Sequence, residues 1–181
     1  ITPVEPAITT APALAAPPRW LVPALAAFAL HAAFQLLFPL RAHLYGGNVS
    51  WHEQGMRLSW RVMLREKNGS VTYRVTNPVT GKVVEIAPRK YLTPRQERDF
   101  ATQPDLLLQL GRRIAADHSA RAGVPVIVTV DAVASLNGRR TQRLVDPTVN
   151  LATLHDGFAP ASWILPLPET ALTELRPVAT R

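Results

Sequence analysis

The sequence predicts an α+β protein in which one N-terminal transmembrane helix precedes an extramembrane domain of antiparallel β-hairpins packed with two helices. Three observations predict this architecture. An apolar run, Trp20–Leu40, contains no Asp, Glu, Lys or Arg. Two Asn-Gly pairs, at residues 68–69 and 137–138, are flanked by segments with strand-like patterns. Between the pairs, residues 104–122 carry apolar side chains at helical spacing, so we expect the order span, β-β-β, α-α, β-β.

The apolar run is long enough to cross a bilayer, because a helix of this length covers roughly 30 Å. Pro23 and Pro39 lie near its ends, where a missing backbone donor costs least, and Trp20 suits a membrane interface. The alternatives are a buried helix of a soluble domain and a signal peptide. A signal peptide fits poorly, since the preceding residues are rich in proline and hold one basic residue, Arg19.

The predicted domain boundaries follow from composition. Residues 1–18 have the Pro/Ala/Thr bias of a linker, residues 19–41 form the transmembrane helix, and residues 42–168 form the extramembrane domain. Residues 169–181 are a C-terminal tail. Because a linker stands first and the chain does not begin with Met, we expect the sequence to be the C-terminal portion of a longer polypeptide.

Three strands are predicted directly after the span. Apolar and polar side chains alternate over residues 58–65, which is the pattern of a half-buried strand. Asn68-Gly69 then predicts a two-residue hairpin turn, with Ser70–Thr76 as the returning strand. A second turn at residues 77–81 leads into a third strand, Lys82–Ala87.

Two helices and a second hairpin complete the domain. Thr93, Pro94 and Gln96 form a capping-box pattern with proline at the first helical position, which predicts a short helix. The longer helix, Pro104–Ala122, is expected to end at Gly123.

The last hairpin has a strand at Val126–Leu136, a turn at Asn137-Gly138 and a partner strand at Arg139–Val145.

The formal charge of +7 falls almost entirely after the apolar run, since residues 1–40 contain one acidic and one basic residue. A basic face suits anionic lipid headgroups or an acidic peptide, and an ordinary solvated surface is the alternative. The basic residues are dispersed and no nucleic-acid-binding signature is present, so we expect no nucleic-acid partner.

The sequence contains no self-contained catalytic or metal-binding motif. HExxH, GxSxG and GxGxxG are all absent, and the chain has no cysteine. The five histidines are not at metal-ligand spacing. We therefore expect no catalytic residue and no metal site in this chain.

A series of ordered motifs carries a family resemblance. Over residues 20–168 the chain resembles the C-terminal region of vitamin K-dependent γ-glutamyl carboxylase and its bacterial homologues, the HTTM-domain membrane proteins. The motifs are LYGGNVSWHEQGMRLSWRVML, YLTPRQ, ATQPD, VDAVASLNGR, LVDPTVNL and SWILPLP. Their consistent order is more specific than any one of them.

The resemblance implies a reaction that this chain performs only in part. In the family, reduced vitamin K (the hydroquinone) is oxygenated to an epoxide, and the strong base so formed removes a γ-proton from a peptide glutamate before carbon dioxide adds. The essential lysine lies on an earlier transmembrane helix. The implied partners are those upstream helices, a glutamate-containing peptide or protein, and membrane lipid. We expect this chain alone to bind no cofactor and to be inactive, with its domain extracytoplasmic.

The resemblance also implies a substrate-binding wall. By position, the family's glutamate pocket falls on Trp51, Ser59 and Trp60, with Arg65 and Lys67 where animal enzymes have a histidine and an arginine. Cationic side chains can pair with a carboxylate, and tryptophans exclude water.

Other readings of these residues stay open. Trp60 would otherwise be a core tryptophan of a sheet, and the chain could be a non-enzymatic, membrane-anchored binding or scaffold domain. Met56 and Leu58 stand where animal enzymes have tyrosines, so part of the aromatic lining is missing. Turn and strand-end roles are favoured for four further residues: Asn137, Gly138, Asp146 and Pro147.

Overall fold

The structure, a computed structural model, describes residues 17–61 and 66–169. The chain divides into two compact units between Leu37 and Phe38. The described part of the first unit is essentially one helix, α1, at Leu21–Leu37, and none of its residues is buried. With the 3-10 segment Phe38–Leu44, it forms one stretch that is long and apolar enough to cross a membrane, judged by length and composition.

The second unit is built on a four-stranded antiparallel sheet with the order β2-β1-β3-β4. All ten residues of β1 pair with β3, from Lys67 opposite Leu136 to Thr76 opposite Ile127. The strands are β1, Lys67–Thr76; β2, Val83–Ile86; β3, Ile127–Leu136; and β4, Gln142–Arg143.

In the described residues, three α-helices accompany the sheet. They are α2, Val49–His52; α3, Pro94–Phe100; and α4, Pro104–Ala122. The capping box is present in α3, where the Thr93 side chain accepts from the Gln96 amide and the Gln96 side chain accepts from the Thr93 amide. At the C-terminus of α4, Gly123 adopts φ +69°, and the helix has the bounds that the sequence predicts. The α+β fold class is therefore confirmed.

The core lies between α4 and the central strands. Tyr73 of β1 is fully buried, and its hydroxyl donates to the Leu107 carbonyl of α4 at 2.8 Å. Burial raises the pKa of the Tyr73 phenol, which keeps it a neutral donor. Fully buried side chains of α4, of β3 and of the segment after β4 fill the same core, among them Leu107, Ile114, Val128, Val130 and Leu151. A fully buried aliphatic side chain stabilises the fold by about 1.5–3 kcal/mol.

The predicted hairpin at Asn68-Gly69 is wrong. Both residues lie inside β1, opposite Ser135 and Ala134 of β3. Glycine is required at position 69 for space, because a Cβ atom there would lie 2.7 Å from the Val133 carbonyl oxygen. The close approach of β3 therefore explains this glycine, and no turn does.

The strand predicted over residues 58–65 is also wrong in its described part. Residues 58–61 form turns and irregular backbone, and Leu58 has φ +60°, which a strand cannot accommodate. Residues 62–65 lie outside the described residues. In the described residues, two strands and not three therefore precede α3 and α4.

The second hairpin is present with a shorter partner strand than predicted. Asn137 and Gly138 have φ of +51° and +73°, as a two-residue turn requires. The predicted strand Arg139–Val145 is reduced to β4. Directly after β4, the Leu144 amide still donates to the Ala132 carbonyl of β3 at 2.9 Å, while the Leu144 carbonyl accepts from the Leu165 amide of a later segment at 3.0 Å.

The close packing of α4 on the core leaves no room for a side chain at Gly111. A Cβ atom at Gly111 would lie 2.7 Å from Leu151 Cδ1 and 3.4 Å from Tyr73 Cε1. We expect Gly111→Ala to destabilise the fold by about 1–3 kcal/mol through overpacking, although alanine is intrinsically the better helix former. Chemical denaturation measures this change.

The control for that experiment is Ala116→Gly on the exposed face of α4. It measures the intrinsic helix propensity alone, which should cost about 1 kcal/mol. A Gly111→Ala variant more stable than the unmodified protein would contradict the packing described here.

Candidate functional site

Lys67 is the centre of a buried polar cluster. Its side chain is 2% exposed. The ammonium donates to the Trp51 carbonyl at 2.7 Å, to the Thr102 carbonyl at 2.7 Å and to Glu53 Oε1 at 2.9 Å. It also lies 5.4 Å from the centroid of the Trp51 ring. An ammonium has three hydrogens, so these three acceptors match its donor capacity.

The sequence around α2 positions the acceptors. Asn48 caps α2 by accepting from the Ser50 amide, and Glu53 ends the helix in the left-handed conformation with φ +60°. This sharp end allows the Trp51 carbonyl and the Glu53 carboxylate to reach the same ammonium. The Trp51 indole donates to the Leu165 carbonyl at 2.8 Å and so ties α2 to the C-terminal segment.

The residues predicted to form a substrate wall have different environments. Trp51 and Lys67 are brought together and buried. Ser59 is half-buried and donates its hydroxyl to the Met56 carbonyl at 2.6 Å, while Trp60 is 64% exposed. Arg65 lies outside the described residues. Substrate binding by all five stays a prediction, and of the described four Trp60 offers the most accessible surface.

The four residues assigned to turns lie at turns. The Asn137 side chain accepts from the Glu66 amide at 2.8 Å, at the end of β1. Asp146, which precedes Pro147, accepts from the Thr148 amide at 2.9 Å and from its hydroxyl at 2.6 Å. These bonds from Thr148 lower the pKa of the Asp146 carboxyl.

A cleft of about 350 Å³ lies beside the buried cluster. One wall comes from residues 41–57, another from the N-terminus of α4, and the third from residues 155–164. Gln54 connects the first wall to the third, because its side chain donates to the Ala159 carbonyl and accepts from the Ala161 amide, each at 3.0 Å. Tyr45 adds a hydrogen bond to the Phe158 carbonyl at 2.9 Å.

The cleft holds charged groups that sequence reasoning did not select. Arg57 forms an ion pair with Asp105 at 2.5 Å. Arg41 donates to the Arg57 carbonyl at 2.6 Å, and its guanidinium lies 4.0 Å from the centroid of the Phe38 ring. Arg41 stands at the end of an apolar run and matches no motif, so no signal in the sequence marked it.

His52 contributes a half-buried imidazole to the same cleft. Its Nδ1 accepts from the Gln54 amide at 3.1 Å, and Nε2 is buried. Burial lowers the pKa of the imidazole below the usual 6.5; the nearby Gly46 carbonyl opposes this effect, and the charge of Lys67 adds to it. His52 is therefore stabilised as the neutral ring.

Residues 17–61 and 66–169 contain no group of three side chains that could hold a metal ion.

Comparison with known families gives one match. A family model described as the vitamin K-dependent gamma-carboxylase, lumenal domain, matches residues 22–170. No curated protein and no solved structure matches the chain.

The buried cluster predicts a large stability cost for losing the Lys67 charge. Lys67→Met leaves Glu53 and two carbonyls without their buried donor, so we expect the free energy of unfolding to fall by about 3–5 kcal/mol. Lys82→Met, at an exposed lysine, is the matched control and should change it by less than about 0.5 kcal/mol. Equal effects of the two substitutions would contradict the contacts at Lys67.

The lowered pKa of His52 predicts that stability depends on pH. The folded protein binds the proton of His52 less tightly than the unfolded chain does. The stability that the neutral ring contributes is therefore fully present above the unfolded pKa of 6.5 and is lost as the pH falls towards the lower folded pKa. We expect His52→Asn to reduce the loss of melting temperature between pH 7.5 and 5.5. His43→Asn, at an exposed ring, should leave it unchanged; an identical pH dependence in both variants would contradict the assignment.

Proposed function

The chain belongs to the family of the vitamin K-dependent gamma-carboxylase lumenal domain, and on this premise we propose that it is the substrate-binding portion of a γ-glutamyl carboxylase-like integral membrane enzyme. In this proposal the whole protein carboxylates glutamate residues of a peptide or protein and couples this to oxidation of reduced vitamin K. The catalytic base belongs to upstream transmembrane helices. The observation that carries the proposal is the family match across residues 22–170, from the apolar helix to the end of the described domain.

The vitamin K site belongs to the upstream part of the protein in this proposal. The cleft of the described domain has charged walls, including Arg41, Arg57 and Asp105, which do not suit a hydrophobic quinone. We therefore assign this chain no step in the oxidation of the cofactor.

The chain's own residues divide into a frame and a contact surface. Trp51 and Lys67 form the frame, since both are buried and the Lys67 ammonium already donates to three protein acceptors. Trp60 is the contact residue, because its indole is largely exposed and could cover a bound glutamate against water. Exclusion of water favours carbanion formation. Ser59 and Arg65 complete the proposed substrate side.

The proposed location follows from the same family. One apolar helix could span a membrane, and we propose that the domain behind it is extracytoplasmic and faces lipid and the upstream helices. The basic residues after the helix would then face anionic headgroups or an acidic peptide.

A carboxylation assay on the full-length protein tests this function. With a glutamate peptide, reduced vitamin K, oxygen and labelled carbon dioxide, we expect Trp60→Ala to reduce incorporation of label about tenfold or more, equivalent to about 1.4 kcal/mol or more in the barrier. Because Trp60 is exposed, the folded fraction should not change.

Val79→Ala is the control, since Val79 is exposed in the turn between β1 and β2. It should retain full incorporation. Unchanged incorporation in Trp60→Ala would overturn the role of Trp60, and no incorporation by the unmodified full-length protein would favour a non-enzymatic binding domain.

A further inference from the structure

Among the described residues of the second unit, four exposed apolar side chains come from three stretches of chain that the structure brings together. Leu44, Leu58 and Phe158 are 81%, 74% and 83% exposed, and Leu40 is 45% exposed. Single exposed apolar residues are ordinary in proteins, whereas a group of them indicates an interaction surface. These four residues are called the apolar patch below.

The first two stretches of the apolar patch are in direct contact. Arg41 donates to the Arg57 carbonyl at 2.6 Å, which brings the neighbouring Leu40 and Leu58 to the same region. Gly55 allows a close approach, because a Cβ atom there would lie 2.8 Å from the backbone of the 3-10 segment. The turn that carries Leu58 therefore packs on the segment that carries the two other leucines of the patch.

The third stretch, which carries Phe158, is held against the first. Tyr45, next to Leu44, donates its hydroxyl to the Phe158 carbonyl at 2.9 Å. The Gln54 side chain makes two more hydrogen bonds to the backbone of this stretch. These bonds engage the backbone and leave the Phe158 ring in solvent. The loop is therefore fixed with its aromatic ring uncovered.

The apolar patch continues the stretch that is long and apolar enough to cross a membrane. That stretch ends at Leu44, and its last part, Phe38–Leu44, belongs to the second unit. Pro39 and Ala42 are buried there, so the end of the stretch is packed into the unit. On the membrane location proposed above, on which this inference rests, the apolar patch lies where the chain leaves the bilayer.

The sheet gives the domain a second end, distant from the apolar patch. β1 begins at Lys67, whose ammonium contacts α2 shortly after Leu44. Ten residues of strand extend roughly 30 Å, so the turn after Thr76 lies at the other end of the domain. Val79 in that turn is 74% exposed, as much as Leu58. Val79 is therefore an equally exposed reference position away from the patch.

The charges around the apolar patch do not select an anionic partner. Arg57 is paired with Asp105, and the exposed Asp156 lies close to Phe158 in the loop. The Arg41 guanidinium packs on an aromatic ring and donates to a carbonyl. Burial of apolar surface is therefore the interaction that the patch offers. Aliphatic and aromatic side chains of this kind suit the boundary between lipid headgroups and acyl chains.

We propose that the apolar patch inserts into this boundary, so that the domain touches the bilayer at points besides its span. A single helix would leave the domain free to rotate about the helix axis. Insertion of side chains from three stretches keeps one face of the domain on the bilayer. Trp60, which closely follows Leu58, is then held at the membrane surface, beside the upstream helices that carry the base in the proposed function.

Site-directed spin labelling of the full-length protein in phosphatidylcholine vesicles tests this contact. Residues 1–181 contain no cysteine, so Phe158→Cys or Leu58→Cys gives one attachment point once any upstream cysteine is replaced by serine. Collisions of the label with oxygen, which dissolves in lipid, are compared with collisions with a nickel chelate, which stays in water. We expect the ratio of oxygen to nickel collisions at either position to be at least about threefold higher than at an aqueous position.

Val79→Cys is the matched control and supplies the aqueous ratio, because Val79 is exposed at the far end of β1. Equal ratios at residues 58, 79 and 158 would place the apolar patch in water and overturn the proposal. Few collisions with either reagent at residues 58 and 158 would show that protein covers the patch, and would overturn it as well. A higher ratio that appears only after phosphatidylserine is added would replace apolar insertion by attraction between charges.

The labelling result is independent of carboxylation. Protein that inserts both labels but incorporates no carbon dioxide would retain this inference and contradict the proposed function. Protein that carboxylates while both labels stay in water would do the reverse. Both labelled side chains are largely exposed, so neither substitution should reduce the folded fraction, and each variant carries the test if the other fails to fold.

Discussion

The fold of the second unit depends on one buried ammonium. Lys67 stands at the first position of β1, inside the protein, where a charge is tolerated only if its donors are matched. The acceptors are the Trp51 carbonyl of α2, the carboxylate of Glu53, which caps α2, and the Thr102 carbonyl between α3 and α4. One side chain therefore joins three segments that are distant in sequence. Displacing any of them would remove an acceptor from a buried charge.

The Lys67 cluster also holds in place the segments beside it, which carry the charged cleft and the exposed Trp60. Trp51 connects the cluster to the C-terminal segment through the Leu165 carbonyl, and the end of α2 at His52 and Glu53 forms a wall of the charged cleft. Trp60 lies exposed in the stretch that joins α2 to β1. A rigid interior with an exposed tryptophan and a charged cleft beside it is a suitable base for holding a peptide, because contact residues act best when buried neighbours fix them.

Local signals in the sequence predicted the elements that local interactions form. The capping box of α3, the end of α4 at Gly123 and the turn at Asn137-Gly138 each depend on a few neighbouring residues. Asn68-Gly69 carries the same turn signal, but ten-residue pairing of β1 with β3 overrides it. Such pairing joins segments about 60 residues apart, and no short pattern reports it.

The candidate site could likewise be predicted only in part, because its contacts join residues that are distant in sequence. The family resemblance marked Lys67 as a substrate-binding cation, but its acceptors lie at residues 51, 53 and 102 and could not be found from spacing. The most direct test of the account is a double-mutant cycle with Glu53→Gln and Lys67→Met, compared with the exposed pair Arg74 and Glu85. We expect a coupling free energy of about 2 kcal/mol or more for the buried pair and under about 1 kcal/mol for the exposed pair. A coupling near zero at Glu53 and Lys67 would contradict it.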